Sequence, residues 1–276
     1  MTTRSILITG CSSGIGLAAA RGLRSDGWRV FAACRQEADA ERLRQEGLEG
    51  IRLDYDDAES IASAVAHVTD ATGGRLDALF NNGAFALPGA LEDLPTDGLR
   101  AIFETNVFGW HELTRQVIPI MRAQGSGRIL NCSSVLGLVP MKWRGAYVST
   151  KFALEGMTDV LRLEMRDTPI RVVLIEPGPI TSNIRVNSIP HFERWIDWEA
   201  SPRADQYRET LLKRLYESRG KDTFELPPEA VVKAVRRALS ARNPAPRYAV
   251  TVPTKAMGVL RRILPGRALD RIISRG

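Results

Sequence analysis

A tyrosine and a lysine stand four residues apart, at Tyr147 and Lys151, and Ser134 precedes the tyrosine by thirteen residues. Residues at positions i and i+4 of a helix share one face, so the phenol and the ammonium would lie side by side. A neighbouring positive charge favours the phenolate and lowers a phenol pKa from its ordinary value of ~10. The pair could therefore exchange a proton near neutral pH. Taken alone, such a pair is more often half-buried packing beside a solvated charge.

A glycine-rich stretch at residues 9–16 joins a strand-like apolar run to the start of a helical pattern. Its glycines permit a tight turn and let the backbone approach a pyrophosphate closely. The phosphates would lie at the helix N-terminus, where free amides and the helix dipole attract anions. The stretch therefore favours a dinucleotide site over a plain connecting turn. The residues expected to contact the nucleotide are Gly10, Ser12, Ser13, Gly14, Ile15 and Gly16.

The end of the second apolar run favours one nucleotide over another. NAD sites normally place an acid there to bind the ribose hydroxyls, whereas sites for the 2′-phosphate of NADP use a cation. This chain has Arg35 there and no carboxylate, so NADP(H) is favoured, although Ser13 adds no second positive charge to the glycine loop. Asp54 could accept from the adenine amino group, and residues 81–84, which include Asn82 and Gly83, could line the ribose. Either stretch could instead be ordinary turn chemistry.

These candidates follow strand-like runs that alternate with helical patterns along nearly the whole chain. Such alternation is typical of repeated βα units and a parallel sheet, and right-handed crossovers would cover both of its faces with helices. We therefore predict an α/β fold with one doubly wound, Rossmann-type sheet of about seven parallel strands. The predicted strands are residues 5–9, 28–33, 51–53, 76–80, 128–131, 171–175 and 248–252.

The 276 residues show no linker or change of composition, so one domain spanning 1–276 is expected. Helices at about 97–122 and 146–167 are long enough to leave a spare apolar stripe, and we expect a homodimer or homotetramer. Periodicity weakens at about 183–226, where aromatic residues gather. An insertion of this kind near the carboxyl edge of a sheet is usually a lid or substrate-binding loop. A small helical subdomain with its own core is an equal and compatible alternative.

Composition is ordinary for a globular protein, with 44% hydrophobic and 25% charged residues. No apolar run approaches the ~20 residues that span a bilayer, and no signal-peptide pattern precedes the first strand, so a cytoplasmic location is expected. Cys11, Cys34 and Cys132 lack the spacing of metal ligands or of a disulfide framework, and the three histidines are isolated. No metal site is therefore predicted.

Most of the net charge of +6 lies at the C-terminus. Apolar residues alternate there with basic ones, so residues 255–276 form a basic amphipathic segment. No RNA-binding motif or aromatic platform accompanies it, and a nucleic-acid partner is not expected. Packing on the domain is the simpler interpretation, and peripheral contact with a membrane or a partner is the alternative. Its basic residues are Lys255, Arg261, Arg262, Arg267, Arg271 and Arg275.

In their order, these motifs resemble those of the short-chain dehydrogenases/reductases. The likeness covers about residues 5–185, and the stretches 133–135, 152–155 and 176–180 look most like its retinol dehydrogenase and 17β-hydroxysteroid dehydrogenase branch. Bacterial NADP-dependent aldehyde reductases of that branch are especially similar. The family commonly has Asn-Asn-Ala-Gly after the fourth strand, where residues 81–84 here are Asn-Asn-Gly-Ala. The residues that carry the likeness are Thr9, Gly10, Gly14, Gly16, Asp54, Asn81, Asn82, Asn106, Ser134, Tyr147, Lys151, Pro177 and Gly178.

The resemblance implies a role for each catalytic residue. Tyr147 would be the general acid that protonates a carbonyl oxygen, and Lys151 would lower its pKa and hold the nicotinamide ribose. Ser134 would hydrogen-bond the substrate oxygen, and Asn106 would anchor a water that relays protons to the lysine. Ser133 is the rival hydroxyl, but neighbouring strand residues point to opposite sides, and the thirteen-residue spacing selects Ser134.

By the same resemblance, Pro177 and Gly178 would border the nicotinamide, with Ile180, Thr181 or Ser182 near its carboxamide. The chemistry agrees, because a hydroxyl, a phenol and a cation suffice to polarise and protonate a carbonyl that receives hydride.

Our hypothesis is an NADP(H)-dependent reductase of aldehydes or ketones that carry an apolar body. The aromatic residues of the 183–226 insertion motivate the apolar body. An NAD-dependent alcohol or steroid dehydrogenase is the near alternative. A non-catalytic nucleotide-sensing protein is the alternative from another class, and the intact catalytic set speaks against it.

Overall fold

A parallel sheet forms the centre of the protein, in a computed structural model that describes residues 3–217, 220 and 222–274. Its strands are β1 (Ser5–Thr9), β2 (Arg29–Cys34), β3 (Glu49–Arg52), β4 (Ala78–Asn81), β5 (Gly127–Cys132), β6 (Ile170–Glu176) and β7 (Arg247–Ala249). They lie in the order β3-β2-β1-β4-β5-β6-β7. The predicted doubly wound sheet of seven parallel strands is therefore confirmed.

The seventh strand is shorter than the predicted 248–252. Thr251 caps a helix instead, because its hydroxyl accepts a hydrogen bond from the Thr254 amide at 3.4 Å. Pro253 lies in the first turn of that helix, where a missing amide donor does no harm. Local capping thus outweighs the β-forming tendency of a valine- and threonine-rich run, and Val252 begins a helix.

Helices cover both faces of this sheet. On one face, the helix Gly14–Ser25 packs against the helix Glu229–Ser240, and on the other, Ala58–Thr72 packs against Gly109–Ala123. Their bounds are α1 (Gly14–Ser25), α2 (Glu37–Gln45), α3 (Ala58–Thr72), α4 (Thr96–Phe103), α5 (Gly109–Ala123), α6 (Gly145–Glu164), α7 (Ile184–Asn187), α8 (Ile189–Trp195), α9 (Ala204–Gln206), α10 (Lys213–Tyr216), α11 (Glu229–Ser240), α12 (Val252–Ile263) and α13 (Gly266–Ile273).

The long helix predicted at 97–122 contains a π-helical turn. Residues Glu104–Phe108 form this turn between α4 and α5. Such turns have one residue more than an α-helical turn and occur frequently at functional sites. This one contains Asn106, which is fully buried. The predicted helix at 146–167 is α6 followed by a 3₁₀ turn, Met165–Asp167.

The described residues form two apolar clusters. The larger one fills the space between the sheet and its helices, as expected for strands buried on both faces. The smaller one lies where the 183–226 insertion meets the loop after β4 and the start of α6. Its buried members are Ala86, Leu87, Ile102, Ala146, Tyr147, Phe192, Ile196, Tyr207, Leu211 and Leu215. The insertion is thus mainly helical, and it shares its core with Tyr147; its residues 218, 219 and 221 lie outside the described residues.

The C-terminal segment forms α12 and α13. The Arg261 guanidinium lies 4.8 Å from the centre of the Phe152 ring on α6, so α12 is packed on the domain. Val259 and Ile263 remain exposed, and α13 buries none of its side chains. Contact of this segment with a membrane or partner stays a prediction, and Arg275 lies outside the described residues.

An apolar stripe on α6, made by Met157, Val160 and Leu163, is exposed. The homo-oligomer stays a prediction, and its interface would cover this stripe. In the described ranges 3–217, 220 and 222–274, no helix has both the length and the apolar character needed to cross a membrane.

Candidate active site

The predicted catalytic residues meet at the carboxyl edge of the sheet. Ser134 follows β5 directly, Tyr147 and Lys151 lie in the first turns of α6, and Asn106 lies in the π-helical turn. Ends of parallel strands share one edge, where ligands of such folds normally bind. Ser134 is close enough to Tyr147 for their hydroxyls to hydrogen-bond.

Tyr147 is a buried phenol, with 9% of its surface exposed. Burial raises its pKa above the ordinary value, and the Ser134 hydrogen bond and the Arg144 charge oppose that rise. The sequence predicts that Lys151 lowers this pKa. Desolvation is the largest influence on this pKa, so its net shift is upward, and the lowering effect of Lys151 stays a prediction. The phenol is therefore protonated at neutral pH, which is the form that donates a proton.

Lys151 has a fully enclosed ammonium. Its Nζ donates to the Cys132 carbonyl oxygen at 2.8 Å and lies 4.6 Å from the centre of the Trp110 ring. The Tyr147 ring centre is 5.4 Å away. Burial lowers the pKa of Lys151 to about 8, and the negative charge of Glu155, one turn along α6, partly offsets that effect. The lysine is thus poised to change its charge just above neutral pH.

Asn106 uses its side-chain amide to hold the loop after β4. Its Oδ1 accepts from the Phe85 amide at 3.0 Å, and its Nδ2 donates to the Phe85 carbonyl at 2.9 Å. The Nδ2 also lies 3.3 Å from the Thr150 hydroxyl, next to Lys151. These bonds position Phe85 relative to α6. The water-relay role implied by resemblance stays a prediction.

The two serines after β5 point to different sides. Ser133 is buried, and a Cβ at Gly137 would lie 2.5 Å from its hydroxyl oxygen and 3.1 Å from a carboxylate oxygen of Glu155. The Ser134 hydroxyl accepts from the Leu136 amide at 3.1 Å and adjoins Tyr147. This arrangement leaves Ser134 as the serine beside the phenol.

The glycine-rich stretch forms a cradle that larger residues would fill. Gly10 has φ +69°, and a Cβ there would lie 2.6 Å from the Gly83 Cα. A Cβ at Gly16 would lie 2.2 Å from the Gly10 carbonyl oxygen. Ser13 precedes α1 without capping it, and the first turn of α1 contains no acid. Free amides and an uncompensated dipole at this point fit the pyrophosphate of a nicotinamide dinucleotide.

Asn82 and Gly83 tie β1 to β4. The Asn82 Nδ2 donates to the Thr9 carbonyl at 3.1 Å, and the Gly83 amide donates to the Thr9 hydroxyl at 3.1 Å. A Cβ at Gly83 would lie 3.2 Å from the Tyr55 ring, and the Trp110 indole donates to the Gly83 carbonyl at 2.7 Å. The Tyr55 ring thus leaves little room for a side chain at position 83, and the Gly-Ala order of residues 83–84 places the glycine there.

The loop after β6 meets the glycine cradle. A Cβ at Gly14 would lie 3.4 Å from the Ser182 Cβ. The Pro177 carbonyl accepts from the Val135 amide at 2.7 Å, which ties this loop to the Ser134 segment. Gly178 packs so closely on Thr251 that a Cβ would lie 2.1 Å from its hydroxyl. Ile180 pairs with Leu226 of the insertion, and the Thr181 amide donates to the Leu226 carbonyl at 3.0 Å.

Residues 4–191 match the family model described as short chain dehydrogenase. The chain belongs to the short-chain dehydrogenase family.

Relatives at 30% identity or more extend over nearly the whole chain. The uncharacterized oxidoreductase YbbO of Escherichia coli is 40% identical over 271 residues, which cover 98% of this chain and 94% of YbbO. Human 17-beta-hydroxysteroid dehydrogenase type 6 is 32% identical, covering 98% of this chain and 87% of that protein. Mouse retinol dehydrogenase 16 is also 32% identical, covering 97% and 87%. The likeness to the retinol and 17β-hydroxysteroid dehydrogenase branch is thus supported.

Solved structures agree with this family assignment. A short-chain dehydrogenase from Streptomyces avermitilis has a TM-score of 0.77 at 28% identity, covering 100% of this chain and 99% of that one. An actinorhodin polyketide ketoreductase solved with NADPH has a TM-score of 0.73 at 27% identity, covering 90% and 95%. A Burkholderia phymatum family member in complex with NAD has a TM-score of 0.77 at 24% identity, covering 99% and 96%. The present short-chain dehydrogenase is an oxidoreductase of this family.

One cation near the nucleotide cradle of this short-chain dehydrogenase escapes sequence reasoning. Arg35 is exposed directly after β2, as predicted. Arg42, two helical turns further on, donates from Nη2 to the Ser12 carbonyl at 2.8 Å and pairs with Asp39 at 3.2 Å. Its guanidinium lies beside the glycine loop, where Ser13 supplies no cation, and its charge is shared with Asp39 and with Glu46 at 3.1 Å. Its seven-residue spacing from Arg35 is the only local signal.

Asp54 lies in the turn that follows β3. Its carboxylate accepts a hydrogen bond from the Asp56 amide at 3.2 Å, and its own amide donates to the Ser60 hydroxyl at 3.0 Å. These bonds fit the turn interpretation of Asp54. Contact of its carboxylate with an adenine stays a prediction.

His191 is a second residue that sequence reasoning missed. Its ring stacks on Phe85 with centroids 3.9 Å apart and an interplanar angle of 15°. Burial lowers the pKa of His191, and the charges of Arg35 and Arg194 act in the same direction. The insertion thus packs on the loop that Asn106 holds. In the part of the chain that the structure describes, no group of three or more His, Cys, Asp or Glu residues could bind a metal ion.

Proposed function

We propose that this short-chain dehydrogenase reduces aldehydes or ketones with an apolar body, using NADPH. The observation that carries the proposal is the buried Tyr147 phenol, which adjoins the Ser134 hydroxyl and belongs to an apolar cluster. Lys151 lies one turn along the same helix face, and the glycine cradle opens at the same sheet edge.

Each residue has a defined task in the reduction. A bound nicotinamide would supply hydride to the carbonyl carbon. Ser134 would donate a hydrogen bond to the carbonyl oxygen, and Tyr147 would deliver a proton to it. General acids of this kind contribute ~10²–10⁴-fold to a rate. Lys151 would hold the nicotinamide ribose. Amides of residues 12–15, with Gly10 and Gly16 giving close approach, would hold the pyrophosphate.

Two cations support a preference for NADPH. Arg35 occupies the end of β2, where a carboxylate would favour NAD, and Arg42 contacts the carbonyl of Ser12. Guanidinium groups are well suited to phosphate because they form paired, charge-assisted hydrogen bonds. The related ketoreductase was solved with NADPH, and the Burkholderia protein was solved with NAD.

An apolar substrate body is supported by the cluster around Tyr147. Phe192, Ile196 and Tyr207 of the insertion are buried in it, and the partly buried Trp143 packs 4.6 Å, centre to centre, from Tyr207. An apolar environment of this kind excludes water from a reacting carbonyl. The names of the human and mouse relatives refer to steroid and retinol substrates, which have large apolar bodies.

The test is a panel of aldehydes and ketones of increasing apolar size, assayed with purified protein and either NADPH or NADH. We expect carbonyl-dependent loss of nicotinamide absorbance, with a higher kcat/KM for NADPH and for larger apolar carbonyls. A higher kcat/KM with NADH would favour the NAD-dependent alcohol or steroid dehydrogenase. Binding of NADPH without turnover of any carbonyl would contradict the proposal and favour a nucleotide sensor.

A further inference from the structure

Three arginines gather beside the catalytic helix, on the side where the insertion packs. Arg144 immediately precedes α6, Arg185 lies on α7 and Arg214 lies on α10. We call these three residues the arginine cluster. The Arg185 Nη1 donates to the Arg214 carbonyl at 3.5 Å, so two of them are in direct contact. The charge of each of these two lowers the pKa of the Arg144 guanidinium, which places all three in one neighbourhood.

Among the residues that the structure describes, this cluster has three positive charges and one ion pair. Arg214 pairs with Asp222 at 3.5 Å. Within residues 3–217, 220 and 222–274, the Arg144 guanidinium has no ion pair and no side-chain hydrogen bond, and Asp222 is the acid whose charge it senses. Burial lowers the pKa of Arg144 to about 10. The Arg144 guanidinium is partly exposed and, in the part of the chain that the structure describes, has its donors free of protein partners, so it is available to bind an anionic ligand.

The position of Arg144 at the start of α6 also favours an anionic ligand. Arg144 is the N-cap residue of a 20-residue helix, whose first turn contains no acid and whose cap has no side-chain hydrogen bond. A helix N-terminus attracts anions and repels cations, so a guanidinium there is unfavourable until an anion lies between them. Trp143, just before it, has φ 67°, a strained conformation for a large side chain. Strain and unpaired charge in one short segment are typical of binding sites.

The arginine cluster belongs to the substrate side of the site. Arg144 stands three residues before Tyr147, and its charge lowers the phenol pKa. Residue Arg144 also forms a backbone bridge with Gly89, in the loop that contributes Ala86 and Leu87 to the apolar cluster. The cations expected at the nucleotide, Arg35 and Arg42, lie instead beyond β2.

We propose that the arginine cluster binds a carboxylate carried by the carbonyl substrate, with Arg144 as its principal contact. The inference rests on the proposed function and narrows it to oxo acids. The apolar cluster would hold the body of such a substrate, and the guanidinium fork of Arg144 would bind its carboxylate with two parallel hydrogen bonds. A neutral carbonyl compound of the same size would contact the same apolar residues but would leave the arginine cluster without an anionic partner.

The experiment compares 4-formylbenzoate with its uncharged methyl ester, using full-length protein and NADPH. Arg144→Gln is the test variant, and Arg166→Gln removes the same charge from an exposed site beyond α6. We expect wild type to prefer the acid. In Arg144→Gln the KM for the acid should rise ~10–100-fold, as for loss of a charge-assisted hydrogen bond. KM for the ester, the dissociation constant of NADPH and both KM values of Arg166→Gln should change less than ~3-fold.

A ligand without a reducible carbonyl separates this inference from the proposed function. We expect 4-tert-butylbenzoate to protect wild type against thermal unfolding, as any ligand of the folded state does, and to protect Arg144→Gln much less. If wild type reduces neither aldehyde but shows this difference, the reductase proposal fails and the anion site stands. If Arg144→Gln does not fold, Arg144→Lys takes its place and should keep part of the protection. Wild-type protection in the double variant Arg185→Gln, Arg214→Gln would show that Arg144 alone binds the anion.

Three results would overturn the inference. The first is an unchanged ratio of acid to ester in Arg144→Gln. The second is a parallel loss of both substrates and of NADPH affinity, which would make Arg144 a cofactor or structural residue. The third is equal protection of wild type and Arg144→Gln by 4-tert-butylbenzoate.

Discussion

The polar network beneath the nucleotide cradle and the arginine cluster on the substrate side differ in how completely the chain satisfies its own polar groups. On the nucleotide side, the Tyr55 hydroxyl lies 2.8 Å from the Thr9 hydroxyl and 3.0 Å from the Asn81 amide oxygen. Asn81 in turn donates to Asn131 at 3.0 Å. On the substrate side, Arg144 has no side-chain partner among the described residues.

Surface exposure follows the same division. Strands β1 and β2 bury nearly all their side chains, whereas Ile184, Val186 and Tyr216 in the insertion are large and exposed. A region whose polar groups pair internally holds one geometry and serves a task that is common to the family. A region that keeps unpaired charge and apolar surface is suited to select a particular ligand. The two regions should therefore respond differently to substitution.

The largest effect is expected where the two regions meet. Tyr147→Phe removes the proton donor and nothing else, so kcat should fall ~10²–10⁴-fold while the dissociation constant of NADPH stays within a factor of about three. Stopped-flow turnover and fluorescence titration measure the two quantities. Tyr216→Phe, which loses an exposed hydrogen bond to Glu193, is the matched control and should keep wild-type turnover. Unimpaired turnover in Tyr147→Phe would remove the proposed general acid.

A smaller effect is expected on nucleotide choice. Arg35→Asp replaces a cation by a repelling carboxylate at the 2′-phosphate, and the ratio of kcat/KM for NADPH to that for NADH should fall roughly 10–100-fold. Arg166→Asp makes the same change of charge far from the nucleotide and should leave the ratio unaltered. A similar fall in both variants would show that the general field of the protein, not Arg35, sets the preference.

The buried lysine should make stability depend on pH. The folded pKa of Lys151 is about 8, below its ordinary value of 10.5, so between these values the unfolded chain binds more protons than the folded one. Stability then rises with pH across this window, by about 3 kcal/mol at most. Lys151→Met should lack this part of the rise. Urea unfolding of both proteins without nucleotide at pH 7 to 10 measures the difference. The same dependence of unfolding free energy on pH in wild type and Lys151→Met would contradict a lowered pKa of Lys151.

The smallest expected effect tests the internal pairing of the nucleotide side. Tyr55→Phe leaves the buried Thr9 and Asn81 groups short of one partner, and it should lower the free energy of unfolding by about 1–2 kcal/mol. Tyr216→Phe on the substrate side should lower it by less than ~0.5 kcal/mol, because its hydroxyl is exposed. Calorimetric melting of both variants checks the pair. Equal losses would contradict the division between the two regions.

Much of the fold could be predicted because its signals are local. Alternating apolar runs gave six of the strands to within two residues, and the start of α1 follows from the glycines around it. The seventh strand was predicted too long because the capping of α12 by Thr251 competes with β-propensity. The i, i+4 spacing places Tyr147 and Lys151 on one helix face wherever that helix lies.

The amino-acid sequence by itself determined the sheet, the nucleotide cradle and the family, since each depends on neighbours within a few residues or on motif order. Only the tertiary structure decided that Tyr147 has a raised pKa, that Arg42 reaches Ser12, and that Arg144 stands without a partner. Those properties depend on burial and on contacts between segments far apart in the chain. Desolvation and charge act through space, and local spacing does not encode them.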